Sequence, residues 1–182
     1  MEAYLDNSAT TRVDAQVQEL MKKLMDVDFG NPSSRHQKGV VAEGYIKEAR
    51  QKIAATLKVD PKEFIITSGG TESNNMALIG TALAAKRKGN HIITTAVEHP
   101  SVKATASFLE EQGFRITFLS VDSRGQISLE DLKEALTPDT ILVSIMYVNN
   151  EIGTIQPVEE AAKLVHATVP GAVFHVDAIQ AY

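Results

Sequence analysis

Phe64-Ile65-Ile66-Thr67-Ser68-Gly69-Gly70-Thr71-Glu72-Ser73-Asn74 is the stretch on which the reading of this chain turns. A short apolar run, two glycines and a helical pattern follow one another. The first amides of a helix point outward without intrahelical partners, and the helix dipole adds partial positive charge there. Glycine lets a ligand approach the backbone closely, so this order of elements makes a phosphate cradle. Thr71 offers a hydroxyl beside its amide. The alternative is an ordinary strand-to-helix turn capped by Thr71, and the stretch alone leaves both readings open.

Outward from it, the pattern is regular. Phe64–Thr67 reads as a short buried strand and Glu72–Lys88 as a helix with Met76, Ile79, Gly80 and Leu83 facing one way, closed by Gly89. His91–Ala96, Phe114–Val121, Thr140–Val148 and Ala172–Val176 read as strands. Between them lie helices opened by Pro100, by Ser128 with an approximate capping box, and by Pro157. Before Phe64 come an extended arm (residues 2–11), a helix from Ala15 to Asp26 capped by Asp14, a Gly/Pro/Asn/Ser loop at 29–36, and a helix from about Val40 to Leu57. Strands alternating with helices predict an α/β fold: a mostly parallel sheet with helices on both faces. Ligands of such sheets bind beyond the carboxyl ends of the strands.

Composition bounds the function. The chain has 182 residues, 43% hydrophobic and 23% charged, with net charge −5 from 18 Lys+Arg against 23 Asp+Glu. That balance argues against nucleic acid as a partner. No apolar stretch approaches the roughly 20 residues of a membrane span, and residues 1–6 carry no secretory signal. Cysteine is absent, which excludes disulfides, thiol catalysis and thiolate metal sites within this chain. The five histidines form no HExxH pair, so a zinc site is not expected. The expected location is cytoplasmic.

Several polar residues gather at the predicted strand ends. Asp177 closes an apolar strand, where a carboxylate needs a cationic partner or else caps the next turn. Gln180, three residues on, reaches the same region if the chain turns helical. His99 precedes a helix-opening proline and serves either as a cap or as an acid/base or stacking group. Asn149 and Asn150 suit ligand contacts or bracing of a loop. A planar phosphorylated cofactor with a basic ring nitrogen uses all of these groups, and pyridoxal phosphate is such a cofactor.

The motifs YLDNSATT (4–11), FGNPSSRH (29–36), TSGGTESNN (67–75), EHPSV (98–102), VNNEIGTIQP (148–157) and HVDAIQ (175–180) run the length of the chain. Together they resemble the N-terminal part of cysteine desulfurases of the NifS/IscS type, among the class V, fold-type I pyridoxal-phosphate enzymes. The resemblance implies that Gly70 and Thr71 hold the cofactor phosphate and that His99 stacks on the ring and shares in proton transfer. It implies that Asp177 pairs with the ring nitrogen, that Gln180 bonds the phenolic oxygen, and that Asn150 lies near the substrate. Asn31–Ser34 and Asn7–Thr11 border the active-site mouth. The implied reaction converts L-cysteine to L-alanine and leaves a persulfide on an enzyme cysteine, whose sulfur passes to iron–sulfur scaffolds or other acceptors. Relatives of this type are homodimers.

The family's Schiff-base lysine, its persulfide cysteine, the substrate-carboxylate arginine and the small C-terminal domain have no counterpart in these residues. The chain is therefore expected to be an N-terminal fragment, inactive alone, with residues 1–60 an arm and helices and 61–182 an incomplete large domain. Another class V enzyme, such as a selenocysteine lyase or an aminotransferase, and a non-catalytic cofactor-binding module remain the alternatives.

Overall fold

The computed structural model describes residues 2–182. The chain divides into two compact units, one ending at Ile66 and the other Thr67–Tyr182. In the first unit, α1 (Ala15–Asp26) starts where Asp14 accepts a hydrogen bond from the Gln16 amide at 2.8 Å. That satisfies one of the amides a helix start leaves over. None of its residues is buried: Val17, Leu20 and Met21 of its apolar stripe are exposed. α2 (Gln37–Leu57) begins three residues earlier than its apolar pattern implies. Tyr45 on α2 donates to Asp28 at 2.7 Å and accepts from Lys23 at 2.8 Å, which ties the end of α1 to α2.

The second unit begins with α3 (Gly70–Ala85), followed by β1 (His91–Thr95), α4 (Pro100–Glu111), β2 (Arg115–Leu119), α5 (Leu129–Ala135), β3 (Thr140–Met146), α6 (Val158–Thr168) and β4 (Val173–Asp177). The four strands are all parallel, in the order β2-β1-β3-β4. This is the expected α/β class, with one strand fewer than the sequence pattern predicts. Phe64–Thr67 forms no strand. A strand exists only as half of a hydrogen-bonded ladder, and no described segment pairs with these residues. Ile65 and Ile66 are exposed instead. The buried stripe of α3 also differs from the expected one: it is Asn74, Leu78 and Ala82, while Met76 and Leu83 face outward. Pro157 is the N-cap of α6 and not its first turn.

Two apolar layers hold the sheet. Ile92 and Leu142 pack with Leu78 and Ala82 of α3 and Val102 and Leu109 of α4. Ile93, Val143 and Ile145 pack on the other face with Leu132 of α5 and Ala161 and Val165 of α6. Alternation of side chains along β1 and β3 sends neighbours to opposite faces, so both strands are buried at every position. From β1 the chain steps to one side through α4. From β2 and β3 it steps to the other side through α5 and α6. The strand order therefore reverses between β1 and β3, and their carboxyl ends open the crevice where such sheets take ligands.

Candidate active site

Three elements end or begin at that crevice: the start of α3, the turn from β1 into α4, and the exit of β4. Gly69 caps α3 with no side-chain hydrogen bond, and Ser73 N–H bonds back to Gly69 O at 3.1 Å. Helix geometry leaves the amides of Gly70, Thr71 and Glu72 without intrahelical acceptors. A Cβ on Gly70 would overlap Ile179 Cδ1, so the exit of β4 lies directly against the start of α3. Thr71 is exposed. The Glu72 carboxylate folds back to accept from the Ser68 amide and hydroxyl, both at 2.6 Å, and these bonds hold its carboxyl below the usual range. It takes up the Ser68 amide, and no side chain caps the start of α3.

Asp177 is buried at the end of β4. No cation meets it: none of the ion pairs among the described residues includes it. Its partners are neutral donors, Asn74 Nδ2 to Oδ2 at 2.9 Å and the Ile179 amide to Oδ1 at 3.1 Å. These neutral hydrogen bonds satisfy the buried carboxylate within the chain itself. The Ile179 contact is also the turn-capping role weighed for Asp177.

His99 is the N-cap of α4, with Pro100 in the first turn behind it. Its Nδ1 accepts from the Ser101 amide at 3.1 Å and lies 2.8 Å from Ser101 Oγ. Ser101 Oγ in turn receives Asn74 Nδ2 at 3.0 Å. One amide nitrogen on α3 thus links Ser101, in the first turn of α4, to Asp177, which ends β4. Gln180 is half-buried, directly after the Asp177–Ile179 turn. Asn150 is exposed in the loop after β3, and its side chain makes no hydrogen bond among the described residues. Asn149 braces that loop: Oδ1 accepts from the amides of Glu151 and Ile152, and Nδ2 donates to Val97 O at 3.0 Å. The structure therefore joins His99 and Asp177 in one network, sets Gly70 against the chain just past Asp177, and leaves Asn150 outside these bonds.

A second carboxylate stands at the same rim. Glu98 is 2% exposed. Its Oε1 accepts from the Met146 amide at 2.8 Å and Thr95 Oγ1 at 2.9 Å, while Oε2 has no hydrogen-bond partner. Burial, reinforced by the charge of Asp177, pushes its carboxyl up to about 7 against the opposing bonds and Lys103. Beside Asp177, His175 bonds Ser144 Oγ at 2.9 Å, and burial lowers its imidazole. The described residues hold no cluster of three or more His, Cys, Asp or Glu side chains fit for a metal. The sequence reading missed the links from Asn74 to Ser101 and Asp177 and from Glu98 to Met146, because they span 27 to 103 residues.

The crevice thus brings together an open helix start, a buried carboxylate and a held imidazole. The family model for aminotransferase class-V matches residues 3–182, and the chain belongs to that family. It is 51% identical to a cysteine desulfurase IscS of Dictyoglomus turgidum over 98% of its own length and 45% of that protein. It is 49% identical to a putative cysteine desulfurase IscS 1 of Bacillus subtilis, over 98% and 47%. Among solved structures, a NifS-like protein superposes with TM-score 0.94 at 43% identity, covering 97% of this chain and 48% of that one. SspA in complex with cysteine gives 0.89 at 39%, over 95% and 49%. The chain spans about half the length of the curated relatives it matches.

Proposed function

We propose that these residues are the cofactor-cradling part of a pyridoxal-phosphate-dependent cysteine desulfurase, acting on L-cysteine as a cytoplasmic homodimer and delivering sulfur to an iron–sulfur scaffold or other acceptor. The observation that carries the reading is the continuous network Asp177–Asn74–Ser101–His99 beside an α3 start whose amides no side chain claims. The donor set fits the group. Gly70 and Thr71 offer amides and a hydroxyl to its phosphate. Asp177 keeps a carboxylate oriented by neutral donors, ready to accept from the ring nitrogen. His99 would face the ring, and Gln180 would bond its phenolic oxygen. When bound, the cofactor supplies an electron sink.

The chain's own residues do the rest. Asp177 would favour the proton-bearing form of the ring nitrogen, because a carboxylate favours a positive neighbour. His99 has one nitrogen tied into the helix cap, so proton transfer falls to Nε2. Asn150 is assigned to the substrate side of the cofactor. The named relatives favour a desulfurase over a selenocysteine lyase or an aminotransferase. Residues 61–182 are assigned to the large domain and 1–60 to the arm and helices before it.

The test is a titration of the protein with pyridoxal phosphate, followed by absorbance, with alanine and sulfide then measured from L-cysteine under reducing conditions. Wild type binds, and Asp177→Ala weakens binding at least about tenfold, the scale of one charge-assisted hydrogen bond. Equal binding by both proteins overturns the assignment of Asp177. No alanine or sulfide is expected from this chain alone, in which the family's Schiff-base lysine and persulfide cysteine have no counterpart, and their formation overturns that expectation.

A further inference from the structure

The four residues of the rim network have hydrogen-bonding directions that follow one from another. A carboxylate oxygen only accepts, so the Asn74 amide turns its nitrogen to Asp177 Oδ2, at 2.9 Å. The second hydrogen of that nitrogen points to Ser101 Oγ, at 3.0 Å. A hydroxyl that accepts there directs its own hydrogen to the remaining neighbour, His99 Nδ1 at 2.8 Å. The Ser101 amide donates to the same Nδ1 at 3.1 Å. Nδ1 is thereby an acceptor, and the hydrogen of the neutral ring sits on Nε2. Asn74 and Asp177 are buried, and Ser101 is 8% exposed, so water competes little for these bonds.

We propose that Asn74, with Ser101 as its relay, is a positioning residue that sets the tautomer and orientation of His99 from the carboxylate of Asp177. The residue meant for the cofactor's ring nitrogen and the residue meant for proton transfer are then one unit. His99 meets its ligand as an Nε2–H donor, and a change at Asp177 is felt at His99 through three hydrogen bonds. The proposal rests on the reading of Asp177 and His99 as cofactor residues for its meaning, but the coupling itself exists without cofactor.

The test uses ¹⁵N-labelled protein and long-range ¹H–¹⁵N spectra of the histidine rings at alkaline pH, without and then with pyridoxal phosphate. In wild type, His99 shows an unprotonated Nδ1 and a protonated Nε2. Asp177→Ala frees Asn74 and shifts the Nδ1 resonance. In a Ser101→Ala background the same change leaves Nδ1 unmoved, and Ser101→Thr, which keeps the hydroxyl, restores the response. Asn74→Leu abolishes the response as well and weakens pyridoxal phosphate about tenfold. Ser101→Ala touches only a side chain at the edge of a helix, so it decides the matter even if Asn74→Leu fails to fold. A His99 protonated on Nδ1, or an Asp177→Ala response that persists in Ser101→Ala, overturns the coupling. If the coupling holds but pyridoxal phosphate leaves both His99 and the absorbance unchanged, the coupling stands and the proposed function falls.

Discussion

Glu98 and His91 flank β1 at its two ends, and both are buried with opposite consequences for pH. His91 lies between Thr140 Oγ1 and Thr117 Oγ1, each at 2.8 Å, and burial, with Arg115 nearby and Asp139 opposing, brings its imidazole down to about 4. A depressed histidine contributes stability that is full above its ordinary pKa of 6.5 and lost as pH falls towards 4. Glu98 is raised to about 7, so its contribution is full below its ordinary 4.5 and lost as pH rises through 7. Each is on the order of 3 kcal/mol across its window, at about 1.4 kcal/mol per pH unit. Between pH 4.5 and 6.5 the two slopes oppose, and His175 adds to the histidine side. Urea unfolding of wild type is expected to vary little there. Glu98→Gln is expected to leave stability that rises steeply with pH, and His91→Asn stability that falls. A Glu98→Gln profile parallel to wild type refutes the assignment. None of this is visible in the motif EHPSV, since Glu98 reaches the Met146 amide through the pairing of β1 with β3.

At the scale of elements, local chemistry was legible wherever a cap or a turn decides a boundary. Asp14, Ser128 and the His99-Pro100 pair start α1, α5 and α4, and Gly113, at φ 89°, follows α4. Such signals act within a turn of their own position. The strand expected at 64–67 failed for the converse reason: its apolar residues specify a strand only if a neighbour donates a ladder. Loops also depend on distant partners. Gln156, 1% exposed, donates from Nε2 to Gly125 O at 2.7 Å and accepts from the Ile127 amide at 3.0 Å. It stitches the approach to α5 onto the segment before α6. Gln156→Leu removes both bonds and strands two buried backbone groups, at a cost of roughly 2–4 kcal/mol. Chemical denaturation measures it, and a loss under 1 kcal/mol would show that the turn finds other partners.

For the whole molecule, topology concentrates the chemistry. Because the strand order reverses between β1 and β3, the start of α4 and the exit of β4 reach one crevice with the start of α3. Ligand binding there is linked to the folding of the unit Thr67–Tyr182. Pyridoxal phosphate at a hundred times its dissociation constant is expected to stabilise that unit by about 2.7 kcal/mol. Circular-dichroism melts with and without cofactor read this shift. At the same cofactor concentration Asp177→Ala is expected to show a smaller one, and equal shifts would separate the seat from Asp177.

The α/β class and the order of elements from α3 onward were readable from the chain itself, because periodicity and caps are local properties. The opening stretch Thr67–Asn74 announced its helix start in the same way. What only the tertiary structure decided is which of its residues matter together. Asn74 looks like one more polar residue of a helix until β4 brings Asp177 and α4 brings Ser101 within reach of its single amide nitrogen. Contacts spanning 27 and 103 residues arise from strand order and crossover, and no local pattern encodes them.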